Sequence, residues 1–293
     1  MSVLLQVLTD GLILGGVYAV IAVGLSLIFG VMRIVNFAHG AFVMVGMYFS
    51  YVIVTYLSLN PYIAMVVVAG IMFAIGFLLQ KYVFNNLLQK EKAREPMSVL
   101  MFTAGLEMVL IYVAQMIFTA TPVMTQTDYV GLTFMIGDTV IVFTKAVAFG
   151  VALLATFALY IFLRKTETGR AMRATSQNRA VARLMGINEK RIYCLSFGIG
   201  CAIVGLSAGL LVPYFPITPT VGSTFGLKSF VIVVLGGKGS IMGALLGGLL
   251  IGIVSSVVGQ YLNMAYAEII VFLIFVAVLI FKPSGFLSKD LEY

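Results

Sequence analysis

The sequence predicts an all-α polytopic membrane protein with eight full-length transmembrane helices plus one short broken or half helix, and three observations predict it. Charged residues make up only 10% of the 293 residues, apolar residues 61%, and mean hydropathy is +1.11. A soluble domain keeps roughly a quarter of its residues charged to hold its surface in water, so this surface faces something else. The apolar residues also arrive in blocks of about 20, the length that crosses about 30 Å of hydrocarbon at about 1.5 Å per helical residue. Finally, most Lys and Arg residues fall in a few stretches between those blocks.

The first block, Thr9–Met32, has no Lys or Arg before it and no small-residue cleavage pattern, so it reads as a retained first helix. Gly40–Leu57, Tyr62–Phe84, Met97–Ala120 and Val140–Leu163 follow, then Ile192–Val212, Phe225–Leu235, Ile241–Leu262 and Ala265–Phe281. Glycines within them do not argue against helix, since neighbouring membrane helices use them for close approach. Phe225–Leu235 reaches only about 17 Å, too short to cross unaided. It stands between the Pro-rich VPYFPITPT and GGKGS, as a half-helix packed inside the protein does. The whole chain, 1–293, reads as one transmembrane domain.

Orientation follows from the basic residues. The segment Arg164–Arg191 carries Arg164, Lys165, Arg170, Arg173, Arg179, Arg183, Lys190 and Arg191; Lys81, Lys90, Lys92 and Arg94 mark the loop before Met97. Between Glu95 and Lys145 there is no basic residue, and Asp128 and Asp138 lie there. The loops around Lys90 and Arg173 are therefore expected to be cytoplasmic and Thr121–Thr139 external. Counting along the blocks puts Arg33 and His39 inside and the N-terminus outside. A completed crossing at Phe225–Leu235 leaves Lys282, Lys289 and the C-terminus inside, which the charge rule favours, whereas a re-entrant segment leaves them outside. The net charge of +7 lies mostly in two loops and is not read as affinity for nucleic acid.

Several motifs lose their chemistry in context. Gly205-Leu206-Ser207-Ala208-Gly209 has the spacing of a serine-hydrolase elbow, but that elbow needs a strand-to-helix turn and a histidine base. Here it lies inside an apolar block, where small residues four apart serve helix packing. Gly236-Gly237-Lys238-Gly239-Ser240 lacks the Ser or Thr directly after Lys that holds magnesium in a phosphate loop. Cys194 and Cys201 are seven apart on one predicted helix, a rise of about 10 Å that no disulfide spans; they read as free thiols used in packing. One His and two distant Cys supply no metal-ligand set. No cofactor is expected.

Some polar residues remain. His39 reads first as a helix-end residue at the cytoplasmic interface and second as a residue beside a path, with Asn36 adding a polar side chain at the same break. Gly-containing helices follow both NFAHGAF and GGKGSIMGA, a weak internal echo of the kind transporters build from repeats. Glu107 lies about ten residues into its block, where an acid must face the bundle; a structural hydrogen bond, to Gln115 or a neighbouring helix, is its first reading. Glu268 lies near a helix start and reaches an interface.

The stretch from Arg164 to Arg191 carries a second signal besides charge. Ala171, Ala174, Ala180, Val181, Leu184 and Met185 permit one or two short helices, with Gly186 placed as a stop. A short surface helix with an apolar side suggests docking on a cytoplasmic partner.

At this point the chain resembles the LivH-type permeases of bacterial branched-chain amino-acid ABC importers. The resemblance is carried by GLILGGVYAVIAVGLSLIFGVMRIVNFAHGAFVMVGMY, TETGRAMRATSQNRAVARLMGI, LGGKGSIMGALLGGLLIG and FKPSGF, in that order. It implies a non-catalytic inner-membrane subunit that moves Leu, Ile or Val. The partners it implies are a second, similar permease, two cytoplasmic ATPase subunits and a periplasmic binding protein. It places the ATPase-coupling element, within loop 164–191, on Gly169, Arg170, Arg173, Ala174, Asn178, Ala182, Gly186 and Ile187, with Met185 adding apolar packing. It places the translocation path near Asn36, His39 and Gly40 and near the break of Gly236, Gly237, Gly239, Ser240 and Gly243. Relatives in the wider superfamily move urea, amides or sugars. Two other classes stand beside this reading: a proton- or ion-coupled carrier built on Glu107, and a membrane scaffold or intramembrane enzyme, for which no catalytic set is visible.

Overall fold

A computed structural model describes residues 2–90, 97–125, 129, 131–136, 139–282 and 284–286. The expected basic residues Lys92 and Arg94, the acids Asp128 and Asp138, and Lys289 lie outside the described residues. Among the described residues, eight helices are long and apolar enough to cross a membrane: α1 (Ser2–Met32), α2 (His39–Leu57), α3 (Pro61–Leu79, prolonged through Gln80–Phe84 into the short α4, Asn85–Lys90), α5 (Met97–Phe118), α6 (Phe143–Lys165), α9 (Glu189–Leu211), α11 (Ile241–Tyr261) and α12 (Met264–Phe281). Two short helices, α7 (Glu167–Gln177) and α8 (Arg179–Leu184), bridge α6 and α9, and α10 (Val221–Gly236) is the shorter apolar helix before α11.

α1 and α9 are buried over most of their length, while α5 and α12 expose most of theirs. α1 and α11 run antiparallel, with Gly11 against Ile253, Gly15 against Leu249 and Gly30 against Gly239. They approach backbone to backbone: a Cβ at Gly252 would stand 2.2 Å from the Gly15 Cα. The Gly205 and Gly209 pair packs α9 on Val68, Met72 and Met65 of α3, and the Ser207 hydroxyl donates to the Ile203 carbonyl 2.7 Å away. Those contacts give the GLSAG stretch its packing role.

Asn and Ser residues set several helix starts by accepting backbone N–H groups that have no partner within the helix. Asn60 caps α3, Asn188 α9, Ser240 α11 and Asn263 α12. The prolongation of α3 at Gln80–Phe84 is a wider helical turn around buried Phe84, whose ring centroid lies 5.5 Å from that of Phe102 and 5.0 Å from that of Phe197. Asn85 Nδ2 there donates to Cys194 Sγ at 3.4 Å, and Cys201 packs against Gly76.

The structure departs from the block reading in several places, and α1 already starts at Ser2, seven residues before its block. Val140–Val142 is not the start of α6: it forms β2 (Thr139–Val142), paired antiparallel with β1 (Thr133–Ile136) in the register Thr133 with Val142. Gln6 of α1 holds that strand, exchanging two 2.9 Å hydrogen bonds with the Val140 backbone. α10 has 16 residues and starts at Val221, four earlier than the short block did. α5 stops at Phe118, where Thr119 turns left-handed at φ 63°.

Basic residues collect at one end of the bundle. Arg33 Nη2 donates to the Ser176 carbonyl at 3.1 Å, Arg179 donates to the Met32 carbonyl, and Lys238 lies over the Phe29 ring at 5.4 Å. The C-terminal segment reaches the same end: Phe286 N donates to the Leu235 carbonyl at 2.8 Å, and Gly285 packs on Gly237. α10 therefore returns the chain to the basic end.

Candidate functional site

Between α1 and α2 the chain turns back into the bundle. Arg33 takes a left-handed conformation, φ 55°, directly after α1. Asn36 is 3% exposed, and neither side-chain polar atom has a partner among the described residues. Phe37 N donates to Thr103 Oγ1 at 3.3 Å. His39 then opens α2, fully buried, with Nε2 3.0 Å from the Ile21 carbonyl. A carbonyl only accepts, so Nε2 carries the proton in this contact. Ile21 lies eleven residues before the end of α1, about 16 Å along the helix. His39 is thus a helix-end residue, but it stands beside the middle of α1 and not at an interface. Gly40, the next residue, lies against Gly222 and Gly226 of α10.

The second break joins α10 to α11. Gly237 and Gly239 have φ of 99° and 84°, a backbone that side-chain-bearing residues rarely adopt. Gly239 packs on Gly30 of α1, and Ser240 caps α11 by accepting Gly243 N at 3.0 Å. Ser26 Oγ donates to the Ser240 carbonyl at 3.3 Å. Gly236 and Gly243 face each other so closely that a Cβ on Gly243 would stand 2.0 Å from the Gly236 carbonyl oxygen. The two breaks do not meet. Gly40 touches the start of α10, and Gly236–Gly243 forms its end.

Two cavities lie beside α1, one toward each of its ends. One, of about 550 Å³ at the basic end, is lined by Ser26, Arg33, Arg173, Ser176, Lys238 and Gly239 among others. The other, of about 300 Å³, is lined by Asp10, Lys145, Tyr214, Ser255, Ser256 and Gln260 among others. Asp10 and Lys145 form an ion pair of 3.6 Å there, while the Tyr214 and Ser255 hydroxyls are buried with no partner among the described residues. Burial pushes the Tyr214 phenol up from its ordinary range.

The charge count passed over Lys228, inside α10. Its Nζ donates to the Tyr18 hydroxyl at 3.1 Å and lies 4.9 Å from the centre of that ring. A cation inside the apolar run from Phe225 to Leu235 was the signal that could have found it. Of the acids, Glu107 is half-buried on α5 and makes no bond to Gln115 among the described residues, and Glu268 is exposed near the start of α12. The expected structural hydrogen bond of Glu107 is therefore absent from the described part of the chain.

The basic loop folds as two capped helices. Thr166 accepts Gly169 N at 3.0 Å to start α7, and Asn178 accepts the Ala180 and Val181 N–H groups at 3.0 and 3.1 Å to start α8. Gly169 is buried against the Phe162 and Leu163 backbone and forms the elbow from α6. Arg170 and Arg173 are exposed and Ala174 half-buried, its carbonyl accepting Asn178 N. After α8, Gly186 turns left-handed at φ 82°, and Ile187 N donates back to the Ala182 carbonyl at 3.1 Å, so the expected stop falls where the chain needs it. Ala182 is 3% exposed and faces inward, so it is not a surface contact. The apolar residues on show are Val181, Leu184 and Met185, the last two 87% and 77% exposed. Beside them Arg183 pairs with Glu189 at 2.8 Å, which holds its guanidinium still higher than usual.

Comparisons with known proteins add an independent line. The profile of the family described as "Branched-chain amino acid transport system / permease component" matches residues 7–279. The chain is 30% identical over 297 residues to the high-affinity branched-chain amino acid transport system permease protein BraD of Pseudomonas aeruginosa, covering 97% of this chain and 96% of that one. It is 31% identical over 294 residues to the permease protein LivH of Escherichia coli K12, with the same coverage, 97% and 96%. A probable LivH of Methanocaldococcus jannaschii is 28% identical, over 97% of this chain and 93% of its own. No solved structure matches the chain.

Proposed function

Because the chain belongs to the family of permease components of branched-chain amino acid transport systems, we propose that it is the membrane-spanning subunit of an ATP-driven importer of leucine, isoleucine and valine. In this reading 1–293 is one permease domain in the inner membrane. A second permease of similar type completes the path, two cytoplasmic ATPase subunits hydrolyse ATP, and a periplasmic binding protein delivers the cargo. The chain itself performs no covalent chemistry.

The observation that carries the reading is the α7–α8 element beneath eight apolar helices. It presents Val181, Leu184 and Met185 to solvent from the end that also holds Arg33, Lys238 and Lys282. An ATPase must pass its closing motion to the membrane through a rigid contact, and two capped helices held to α1 by Arg33 and Arg179 are suited to transmit it. The basic end is the cytoplasmic end by the positive-inside rule, which puts the N-terminus in the periplasm and the C-terminus in the cytoplasm.

The path in this reading follows α10, bordered by Asn36, His39 and Gly40 at its start and by Gly236, Gly237, Gly239, Ser240 and Gly243 at its end. The path residues named here are uncharged, and Lys238, within the second break, lies over the Phe29 ring. Reconstitution tests the function. Proteoliposomes holding this chain with its neighbouring permease and ATPases should accumulate labelled leucine only with ATP and loaded binding protein. Uptake without ATP, driven by an ion gradient, would replace this reading with the carrier.

A further inference from the structure

Lys228 lies in the middle of the bundle. Its partner Tyr18 is fourteen residues from one end of the 31-residue α1 and sixteen from the other, roughly 20 Å from each. That is farther than a lysine's four-carbon stem can carry its ammonium to either interface. No carboxylate pairs with it among the described residues, where the ion pairs are Asp10–Lys145 and Arg183–Glu189. Lys228 is also only half-buried, with Thr224 and Leu227 exposed beside it on the first half of α10. An ammonium at this depth does not face acyl chains, so this face of α10 borders a polar compartment.

Further observations give that compartment a sign and a shape. Two helices begin inside the bundle, α2 at His39 and α10 at Val221, and their first turns meet at Gly40 and Gly222. Both therefore present their positive ends at mid-bundle, in the same part of the protein as the ammonium. Buried Asn36, just before α2, has no partner for its amide among the described residues. Beside Lys228 stands an aromatic wall: Phe225 lies edge-on to Tyr18 at 6.0 Å, and Phe215 lies 5.3 Å from Phe225. The Tyr18 oxygen accepts from Lys228, which leaves the phenol's own proton free to donate to a second acceptor.

We propose that Lys228, held by Tyr18, contacts the carboxylate of the passing cargo, and that Thr224, Leu227 and Lys228 line the path along the first half of α10. The carboxylate would accept from the ammonium and from the Tyr18 hydroxyl, while the side chain of an apolar amino acid would rest on exposed Leu227, with the aromatic wall behind it. Tyr18 acts as a positioning residue through Lys228. This inference rests on the cargo being an amino acid, as proposed above.

The test uses the complete transporter in proteoliposomes, with labelled leucine as the probe and leucine moved per ATP hydrolysed as the readout. That ratio is insensitive to how much complex assembles. Lys228→Met should lower it about tenfold or more, as expected when one partner of a desolvated charge contact is removed, and Lys228→Arg should stay within about threefold of the parent. Should the Met variant fail to fold, Lys228→Gln keeps a donor for Tyr18 without the charge and should lower the ratio likewise. A neutral variant that folds and moves as much leucine per ATP as the parent overturns the proposal, as does an Arg variant no better than Met. A parent complex that takes up no branched-chain amino acid overturns the proposed function, and this inference with it.

Discussion

Gly40 and Gly222 each occupy the space that a side chain on the other would need. A Cβ at Gly40 would stand 2.1 Å from the Gly222 carbonyl oxygen, and one at Gly222 would stand 2.5 Å from that of Gly40. Real Cβ atoms do not approach backbone so closely, so either substitution forces the first turns of α2 and α10 apart. Gly222→Ala should therefore destabilise the purified protein by about 1–3 kcal/mol, the usual cost of overpacking. Gly70, which has open space around it, serves as the control, and Gly70→Ala should leave thermal unfolding in detergent nearly unchanged. Equal unfolding temperatures for the two variants would show that this contact does not fix the helix starts.

The connection between α10 and α11 is tighter still. Gly243→Val would press a branched side chain on the Gly236 carbonyl, already 2.0 Å from the Cβ position. At Gly237, φ of 99° adds strain for any side chain, of order 1–3 kcal/mol. Both variants should reduce uptake far more than Gly70→Val at matched membrane expression. Equal uptake from all three would remove this turn from the path.

Much of this architecture is legible in the sequence, because an apolar block of bilayer length has few other fates. The missed features depend on partners distant along the chain. His39 looks interfacial from its neighbours alone; it is buried because Arg33–Ala38 folds back toward Ile21 and because Gly222 makes room for Gly40. Val140–Val142 is as apolar as a helix start, and only pairing with Thr133–Met135 and with Gln6 makes it a strand. In a helix as short as Arg179–Leu184 no periodicity is long enough to tell the inner face, at Ala182, from the outer one. Lys228 is visible as a cation inside the short block, but the Tyr18 that holds it lies 210 residues away along the chain.

Sidedness is open to direct labelling. Cys194 and Cys201 are both buried, so the parent chain should react weakly with an impermeant maleimide. Cysteine at Met124, exposed on the segment after α5, should label in intact cells; cysteine at Gln177, exposed at the end of α7, should label only after the membrane is opened. The reverse pattern would invert the topology, and labelling of both in intact cells would break the assignment of α6 as a crossing.

Glu107 separates the importer from the carrier. It is half-buried on a mostly exposed helix, without a hydrogen-bond partner among the described residues, so its charge supports no visible internal contact. Glu107→Gln removes that charge at nearly constant volume. ATP-driven uptake should stay within about threefold of the parent, whereas a proton-coupled carrier would lose coupling altogether.

The exposed apolar corner of α8 makes the most specific prediction. Leu184 and Met185 project from a turn closed by Gly186 and anchored by the Asn178 cap, so a substitution there changes the surface and not the fold. Large apolar side chains this exposed on a capped, rigid element are suited to fill a pocket on a partner. Leu184→Asp would bring an unpaired carboxylate into that contact, and losing such an anchor costs about 2 kcal/mol or more, roughly thirtyfold in affinity. The variant should insert and unfold like the parent yet retain little ATPase on affinity purification. Ala182→Asp should behave differently: its side chain points inward at 3% exposure, so the charge is buried within the chain and the α7–α8 element itself should loosen. Limited proteolysis separates the two, with rapid cleavage near Arg179–Arg183 expected for Ala182→Asp and parent-like resistance for Leu184→Asp. If Leu184→Asp retained full ATPase association, the coupling contact would have to lie on another surface.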